Sequence, residues 1–316
     1  MNKRPLCYSF SIIFLMQLII LILSLNTYAQ VFSESARTEF FGGLGIRVFY
    51  EQTNKTQLLM DGDEVNDPDA PKVFVKSVPA AVVYGANPKL SLIAVIPTVS
   101  RTSEKTDEGR RLSDTDTGIG DITVFGKYRF YKKDAFLRSR QFALQLGVKL
   151  PTGADDLNDS QGNRFPAPLQ LGSGSVDYRL VLTFTEAHNR WQFFGDAGYM
   201  LRTEANDFKF GNVLNYDATA KFRVYPARYG NKFPAHDLFV FLEVNGAAVQ
   251  KAESSGSKVD NSGGHEIFLA PGFQFFLLQN LIIEAGVQVP VLQNLNGTQL
   301  GTDFSFRSGF RWIFLP

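Results

Sequence analysis

The stretch NYDATAKFRVY, from Asn215 to Tyr225, changes character at every residue. Polar side chains such as Asp217 and Lys221 alternate with apolar ones such as Phe222. A period of two residues places the two sets on opposite faces of a β-strand. This stretch therefore predicts a strand with water on one side and an apolar medium on the other.

Other stretches along the chain repeat this pattern. Together they predict strands at 38–52, 73–84, 90–102, 117–131, 141–151, 175–186, 190–202, 212–225, 238–251, 265–277, 281–292 and 302–314. The second and third are the least regular, because Pro79 and Pro97 cannot donate to a strand ladder. Pro271 and Pro290 raise the same objection later in the chain. The total is even, as bacterial single-chain barrels require.

The predicted connectors alternate in length. Short ones lie at 85–89, 187–189 and 278–280, with somewhat longer ones at 131–140 and 226–237. The intervening connectors are polar and mostly long, at 53–72, 103–116, 152–174, 203–211, 252–264 and 293–301. Short periplasmic turns and longer external loops are typical of outer-membrane barrels.

The predicted fold is all-β, a transmembrane antiparallel up-and-down β-barrel of about twelve strands. Alternation alone does not say which face points outward, so a soluble two-sheet sandwich is the alternative. The aromatic residues near strand ends favour the membrane, where aromatic girdles mark both interfaces. They are Phe130, Tyr178, Trp191, Tyr225 and Trp312.

Residues 1–29 form a separate unit. Charge at Lys3 precedes an apolar run from Ile12 to Leu25, and small residues close the segment at Ala29. This order predicts a secretory signal peptide that is cleaved before Gln30. An uncleaved anchor helix is the alternative, because the apolar run with its flank is just long enough to cross a bilayer.

The domain from 30 to 316 would then contain no cysteine, because Cys7 is the only one in the chain. We therefore expect no disulfide, no thiol nucleophile and no thiolate metal site. The formal net charge of the whole chain is +1. A chain this close to electrical balance is not expected to bind nucleic acid.

If the apolar faces meet lipid, the polar faces line a lumen. The candidate solute path consists of Arg47, Asp121, Lys127, Arg129, Lys149, Asp177, Arg179, Asp196, Asp217, Lys221, Arg223, Glu243, Glu284, Arg307 and Arg311, with Gln145 and Gln288 beside them. Barrels of eight strands are filled by side chains, whereas those of sixteen hold a wide channel. The slight basic excess favours anions or polarised solutes. A salt-bridged scaffold that merely keeps the lumen hydrated is the alternative.

Few residues suggest catalysis. Ser262 and His265 lie close together in the sequence, as a membrane-embedded lipid hydrolase would need. Such a nucleophile needs rigid presentation and an orienting partner, whereas Ser262 lies in a glycine-rich turn. We therefore expect no enzyme.

Metal and cofactor sites are not expected either. The acidic loop 61–69 has spaced carboxylates, which can bind Ca²⁺. Val65 occupies a ligand position of that pattern, so a solvated loop is favoured, and the loop 153–159 is interpreted likewise. His188 and His236 fall on the opposite side of the barrel from His265, so the histidines do not predict a metal site.

Several short motifs carry a family resemblance. LSD at 112–114 is followed by GIGD at 118–121 and KYRF at 127–130. LPTG at 150–153 precedes LQLGSGS at 169–175. In this order they resemble the outer-membrane "transporter" family named for the MetA pathway of phenol degradation, over most of 38–316.

Further pieces extend the resemblance at 203–208, 261–265, 288–290 and 296–297. The resemblance implies an outer-membrane barrel that passes small organic compounds. It supplies no substrate and no catalytic residues. The Leu315-Pro316 ending departs from the terminal Phe common in such barrels, which leaves Phe314 as the aromatic of the assembly signal.

The sequence therefore predicts an outer-membrane channel of a Gram-negative bacterium that passes small solutes through a charged lumen. Its expected partners are outer-membrane lipid, lipopolysaccharide and small-molecule solutes, and its oligomeric state is left open. A closed structural or ligand-binding barrel that acts through its extracellular loops is the alternative. A lipid hydrolase is less favoured.

Overall fold

The computed structural model describes residues 31–107, 110–228 and 236–314. The predicted signal peptide and the Leu315-Pro316 ending lie outside these described residues. Within them no helix has the length and apolar character needed to cross a bilayer. A single short 3-10 turn, Ala167–Leu169, interrupts the strands and loops of the described chain.

The main sheet has thirteen strands. They are β1 (Leu44–Lys55), β2 (Lys72–Asn87), β3 (Leu90–Asp107), β4 (Arg110–Ile119), β5 (Thr123–Ala135), β6 (Arg138–Lys149), β7 (Asp177–His188), β8 (Trp191–Leu201), β9 (Val213–Tyr225), β10 (Asp237–Val249), β11 (Gly264–Phe276), β12 (Leu281–Leu295) and β13 (Phe304–Phe314).

The sheet closes on itself. The order runs β2-β1-β13-β12-β11-β10-β9-β8-β7-β6-β5-β3, and β3 pairs back with β2. β4 pairs with residues Thr98–Asp107 of β3, and β5 pairs with residues Leu90–Val95 of the same strand. β4 and β5 therefore form one interrupted span. The result is the predicted closed antiparallel barrel of twelve spans. Closure pairs β2 with β3 and so completes the ring, whereas among the described strands β4 pairs with β3 alone.

Small sheets extend the loops at one end of the barrel. Gln57–Met60 pairs with Asp63–Val65 and with Thr298–Gly301. Glu204–Ala205, Phe208–Lys209, Glu253–Ser254 and Ser257–Lys258 form a second small sheet. The opposite end has tight turns, such as the one at Phe136 and Leu137 between β5 and β6. The predicted difference between the two ends is therefore present.

The apolar faces of most strands point outward. Leu146, Leu180 and Leu242 are about half exposed, at 60%, 47% and 46%. By contrast, Asp177 on the strand of Leu180 and Glu243 on the strand of Leu242 are fully buried. A water-soluble sandwich would bury the leucines and expose the acids. The outward apolar face instead requires lipid, as in a transmembrane barrel.

Parts of the strand prediction were wrong. The first strand was predicted from residue 38, but β1 begins at Leu44, and residues 31–43 cross the inside of the barrel. The predicted connector 103–116 is mostly strand, because β3 and β4 run through it. The connector 131–140 shrinks in the same way to a two-residue turn.

The inner face is not polar all the way round. On β2 and β3 the side chains that face inward include Val83, Ile93 and Val95. Both faces of these strands are largely apolar there, so alternation does not indicate which face points into the barrel. Pro79 and Pro97 lie opposite each other in the register, which brings the two missing donors to one point of the ladder.

Candidate functional site in the barrel lumen

Residues Val31–Gly43 form a lumenal segment that enters the barrel before β1 begins. Most of its backbone donors between Val31 and Glu39 bind side chains of the barrel rather than strand backbones. The Glu243 carboxylate accepts hydrogen bonds from the N–H groups of Val31 at 3.1 Å and Ser33 at 2.8 Å. A buried backbone N–H that lacks a partner is costly, so an anionic acceptor here stabilises the segment.

Further anchors follow along the segment. Asp196 accepts from the Glu34 N–H at 2.8 Å, and Thr185 accepts from the Ala36 N–H at 2.9 Å. The Ser33 hydroxyl lies 2.7 Å from that of Thr219. We call Thr185, Asp196, Thr219 and Glu243 the polar wall. They come from β7, β8, β9 and β10, so the segment lies along one side of the lumen.

The segment leaves the barrel beside the turn between β2 and β3. The Glu39 N–H donates to the Ser91 hydroxyl at 2.9 Å, and the Gly42 N–H donates to the Gly85 carbonyl at 2.8 Å. The chain passes so close that a Cβ on Gly85 would lie 1.9 Å from the Phe40 carbonyl oxygen. Only glycine leaves room for this exit.

The Glu34 side chain lies in a cluster of lumen residues. Its carboxylate oxygens lie 3.5 Å from the Lys127 ammonium, 3.4 Å from the Arg179 guanidinium and 3.3 Å from the Gln145 amide nitrogen. The segment thus supplies an acid to predicted lumen residues on three strands. These contacts join the lumenal segment to the barrel by charged side chains as well as by backbone hydrogen bonds.

Arg307 fixes the beginning of the segment. Its guanidinium donates to the Val31 carbonyl and lies 4.7 Å from the centre of the Phe32 ring. The same group pairs with Glu51 at 2.8 Å. One arginine therefore joins β13, β1 and the lumenal segment.

Glu284 is the centre of a second cluster, towards the end with short turns. It is fully buried and pairs with Arg47 at 3.0 Å and with Arg311 at 2.8 Å. Gln274 donates to it at 2.6 Å and accepts from Lys221, whose ammonium lies 4.3 Å from the centre of the Phe239 ring. Buried charges need partners of this kind.

A third cluster lies at the end with long loops. Lys149 pairs with Asp121 at 2.7 Å and with Asp177 at 2.9 Å, and Arg202 pairs with Asp177 at 2.9 Å. Lys149 also donates to the Ser173 hydroxyl, so the loop between β6 and β7 is held against the barrel interior. These acids and bases hold the loop in place.

The remaining predicted lumen residues are also buried or half-buried. Asp217 faces Asp196 across β8 and β9 and accepts from the Asn245 amide at 2.7 Å. Arg129 donates to the Pro88 carbonyl at 2.6 Å, and Arg223 is 6% exposed. All fifteen predicted side chains are thus buried or half-buried.

The loop 150–176 covers the outer mouth on the side of β3. Arg101 of β3 donates to the carbonyl of Pro168 at 2.6 Å and to that of Gln170. Leu171 is 8% exposed, and its neighbourhood includes Gly118 and Gly120. The loop therefore folds back towards the inner face instead of standing out in solvent.

A cavity of about 140 Å³ is left between the lumenal segment and the opposite wall. That wall, here called the apolar wall, consists of Ala81, Val83, Ile93, Val95 and Phe125. Three predicted lumen residues, Arg47, Lys127 and Arg311, also border the cavity. Glu34, Arg37 and Glu39 of the segment line it as well, and the remaining lining residues are Gly45, Ile46, Ser91, Trp312 and Ile313.

Sequence reasoning missed the lumenal segment and its three charged side chains. The segment has no period of two, and its partners on the polar wall are about 150 to 210 positions away. The only available signal was its place between the predicted signal peptide and the first strand.

The other candidate groups have separate partners. Ser262 donates to the Val259 carbonyl at 2.5 Å and accepts from the Ala252 N–H, whereas His265 lies 2.6 Å from the Tyr216 hydroxyl. Asp61 accepts from the Gly297 N–H at 2.7 Å. Within the ranges that the structure describes, no three His, Cys, Asp or Glu residues are grouped as metal ligands would be.

A family model described as "Putative MetA-pathway of phenol degradation" matches residues 74–307. The chain belongs to this family. The match spans most of the barrel, from β2 to β13, and confirms the resemblance carried by the short motifs. No curated protein matches the sequence.

Solved structures support the fold. The COG4313 outer membrane channel from Pseudomonas putida F1 superposes with a TM-score of 0.65 at 13% identity, covering 88% of this chain and 98% of that one. The transport unit of the autotransporter AIDA-I from Escherichia coli has a TM-score of 0.45 at 10% identity, covering 94% and 97%. The CymD monoaromatic hydrocarbon channel has a TM-score of 0.40 at 10% identity, covering 88% and 90%. The first of these shares the barrel fold of this chain, and the other two superpose less well.

Proposed function

We propose that this barrel is an outer-membrane channel that passes small organic solutes. The solutes move along the apolar wall, through the gap that the lumenal segment leaves open. The observation that carries the proposal is the position of the segment. It lies along the polar wall, and the cavity of about 140 Å³ lies on its other side.

The fully paired clusters have a different role in this proposal. Asp177 and Glu284 are completely buried and satisfied by arginine, lysine and amide partners. Such clusters brace the wall and hold the segment and the loop 150–176. The scaffold interpretation therefore applies to part of the lumen, and the solute path to the part beside β1 to β3.

Filling the cavity tests the proposal. Ala81→Phe places a ring inside the cavity, and we expect it to remove most of the solute flux in a liposome-swelling assay. The matched control is Ala80→Phe, because Ala80 is the neighbouring residue and faces the opposite side of β2. Equal flux through both variants and the unmodified barrel would refute a path along this wall.

We also propose that the signal peptide is removed before Gln30. The backbone N–H of Val31 donates to Glu243 inside the barrel, and Val31 is 1% exposed. An uncleaved apolar leader would have to continue from this buried point. Amino-terminal sequencing of the protein from purified outer membranes should begin at Gln30, and a mass that includes residues 1–29 would contradict this.

The address and the partners follow from the same proposal. The outward apolar band and the aromatic residues Phe130, Tyr178, Trp191 and Tyr225, each 46–58% exposed, fit contact with outer-membrane lipid. Lipopolysaccharide is the lipid expected around the long loops. We propose no catalytic step, because Ser262 and His265 have different hydrogen-bond partners.

A further inference from the structure

The cavity beside the apolar wall has two chemically different sides. One side is the apolar wall itself. The rest of the lining carries the cationic groups of Arg37, Arg47, Lys127 and Arg311 and the carboxylates of Glu34 and Glu39. Arg47 is the cross-strand neighbour of Ala81, and Lys127 follows Phe125 by two residues on β5, so these two cations flank the apolar wall. The cations that border the cavity outnumber the acids by two.

A buried acid behind the cavity reduces this excess without removing it. Glu284 pairs with both Arg47 and Arg311, so one carboxylate serves two guanidinium groups. Arg179, which lies 3.4 Å from Glu34, adds another positive charge at the edge of the cluster. The electrostatic surroundings of the cavity are therefore positive, with the cations at the edges of the apolar wall and on the lumenal segment.

The size of the cavity limits the apolar part of a ligand. An enclosed apolar cavity of about 150 Å³ holds one benzene molecule. The present cavity is about 140 Å³, so a single ring or a short branched chain is the largest apolar group that fits. Arginine is also the side chain best shaped to bind a carboxylate, through two parallel hydrogen bonds.

We propose that the cavity is a selective binding site for small organic monocarboxylates with one ring-sized apolar group. The carboxylate faces Arg37, Arg47 and Arg311, and the ring lies on Val83, Ile93 and Phe125. This inference rests on the proposed function and specifies the solute class. A fully hydrated anion such as phosphate gains nothing from the apolar wall, and a neutral arene gains nothing from the cations.

Benzoate and benzamide are suitable probes, because they share a ring and differ in charge. With the full mature protein in planar bilayers at pH 7, we expect benzoate to reduce the ion current in a concentration-dependent way. We expect benzamide to leave the current unchanged at the same concentrations. Equal block by both probes would overturn the carboxylate site while leaving the channel intact.

Arg37→Gln tests the site without altering a barrel strand, because Arg37 belongs to the lumenal segment. Loss of one charged hydrogen-bond donor should raise the half-blocking benzoate concentration by about tenfold or more. Arg202→Gln is the matched control, because it removes an arginine that pairs with Asp177 away from the cavity. A similar rise in both variants would indicate general lumen charge and would overturn the site.

The two proposals fail in distinguishable ways. A wild-type barrel that passes neither ions nor small organic solutes refutes the channel itself. A barrel that conducts, is blocked by filling the cavity with Ala81→Phe, and treats benzoate and benzamide alike refutes only the carboxylate selectivity. If Arg37→Gln fails to assemble, Arg47→Gln, which removes another guanidinium group that faces the carboxylate, should give the same loss of benzoate block.

Discussion

The two sides of the lumen interact with the lumenal segment in opposite ways. On the polar wall, Glu243, Asp196 and Thr185 accept the backbone hydrogen bonds of the lumenal segment. On the apolar wall, Val83, Ile93 and Val95 offer the segment no such partners and border the cavity instead. The difference shows that one lumen can hold a bound segment and keep a gap, because the two walls have different chemistry.

The largest test of this difference is to remove the segment. Deletion of Val31–Thr38 should increase single-channel conductance several-fold, because the polar wall would then border water instead of a bound chain. Planar-bilayer recording measures the change. Deletion of the loop sheet strands Glu204–Lys209 is the control and should leave conductance nearly unchanged. Unaltered conductance without the segment would show that it does not narrow the path.

The second test concerns the buried cluster beside the cavity. Glu284→Leu removes the acid that both Arg47 and Arg311 use, so two guanidinium groups lose their common partner. Breaking a buried ion pair in this way costs about 3–5 kcal/mol. We expect a loss of that size in the free energy of unfolding, measured by urea titration in lipid vesicles.

A surface pair provides the comparison for that experiment. Lys251→Gln breaks the pair with Asp260, in which the Asp260 side chain is 87% exposed. Exposed pairs contribute little to stability, because water and salt screen the two charges. If both variants lose the same small amount of unfolding free energy, the buried cluster around Glu284 does not stabilise the barrel as proposed.

A third, intermediate effect is expected where the segment leaves the barrel. Gly85→Val introduces a side chain whose Cβ would overlap the Phe40 carbonyl. The exit should shift, and the contacts of Glu39 and Thr38 near Ser91 and Pro88 should weaken. Conductance should rise by less than in the deletion, with more frequent transitions between levels. Gly126→Val is a useful comparison, because a Cβ there would lie no closer than 3.8 Å to another residue and the backbone is not left-handed.

The smallest effect is expected in the loop over the apolar wall. The Asn163 backbone N–H donates to Asp159 and, with Lys105, holds the pKa of this carboxyl below its ordinary value. The contribution of Asp159 to loop order is therefore complete above the ordinary pKa of about 3.9 and is lost as the pH falls through the lowered value.

A spin label at Ser160→Cys measures this change as loop mobility. We expect a restrained label at pH 7 and a mobile one only in strong acid. In Asp159→Asn the label should already be mobile at pH 7, whereas Asp156→Asn should resemble the unmodified loop. A label that is equally mobile in all three would show that Asp159 does not order the turn.

Much of the barrel could be predicted from the sequence, because strands such as β9 have one lipid face and one enclosed face. The alternation then reports both the strand and its orientation. On β2 and β3 the sequence predicted the strands but not their orientation, because Val82 faces lipid while Val83 faces the cavity. Asp196 and Glu243 of the polar wall were among the predicted lumen residues, whereas Thr185, Thr219 and the apolar wall were not.

The lumenal segment lay beyond sequence reasoning for a different reason. Its structure depends on acceptors such as Glu243 and Thr185, which strand pairing brings together from distant positions. No local period encodes that arrangement. Hence Arg47, Lys127 and Arg311 were predicted as lumen residues, but Arg37 and Glu39, which complete the cavity, were not.

The direct link between the lumenal segment and β1 has a further consequence. A blocker dissolved in the periplasm must be abundant to keep a pore occupied. A blocker joined to the pore by a short stretch of chain has a local concentration of ~1 mM or more. Only Phe40 to Gly43 lie between Glu39, which is bound to Ser91, and the first residue of β1. Each copy of the barrel therefore carries its own constriction, which cannot be diluted away.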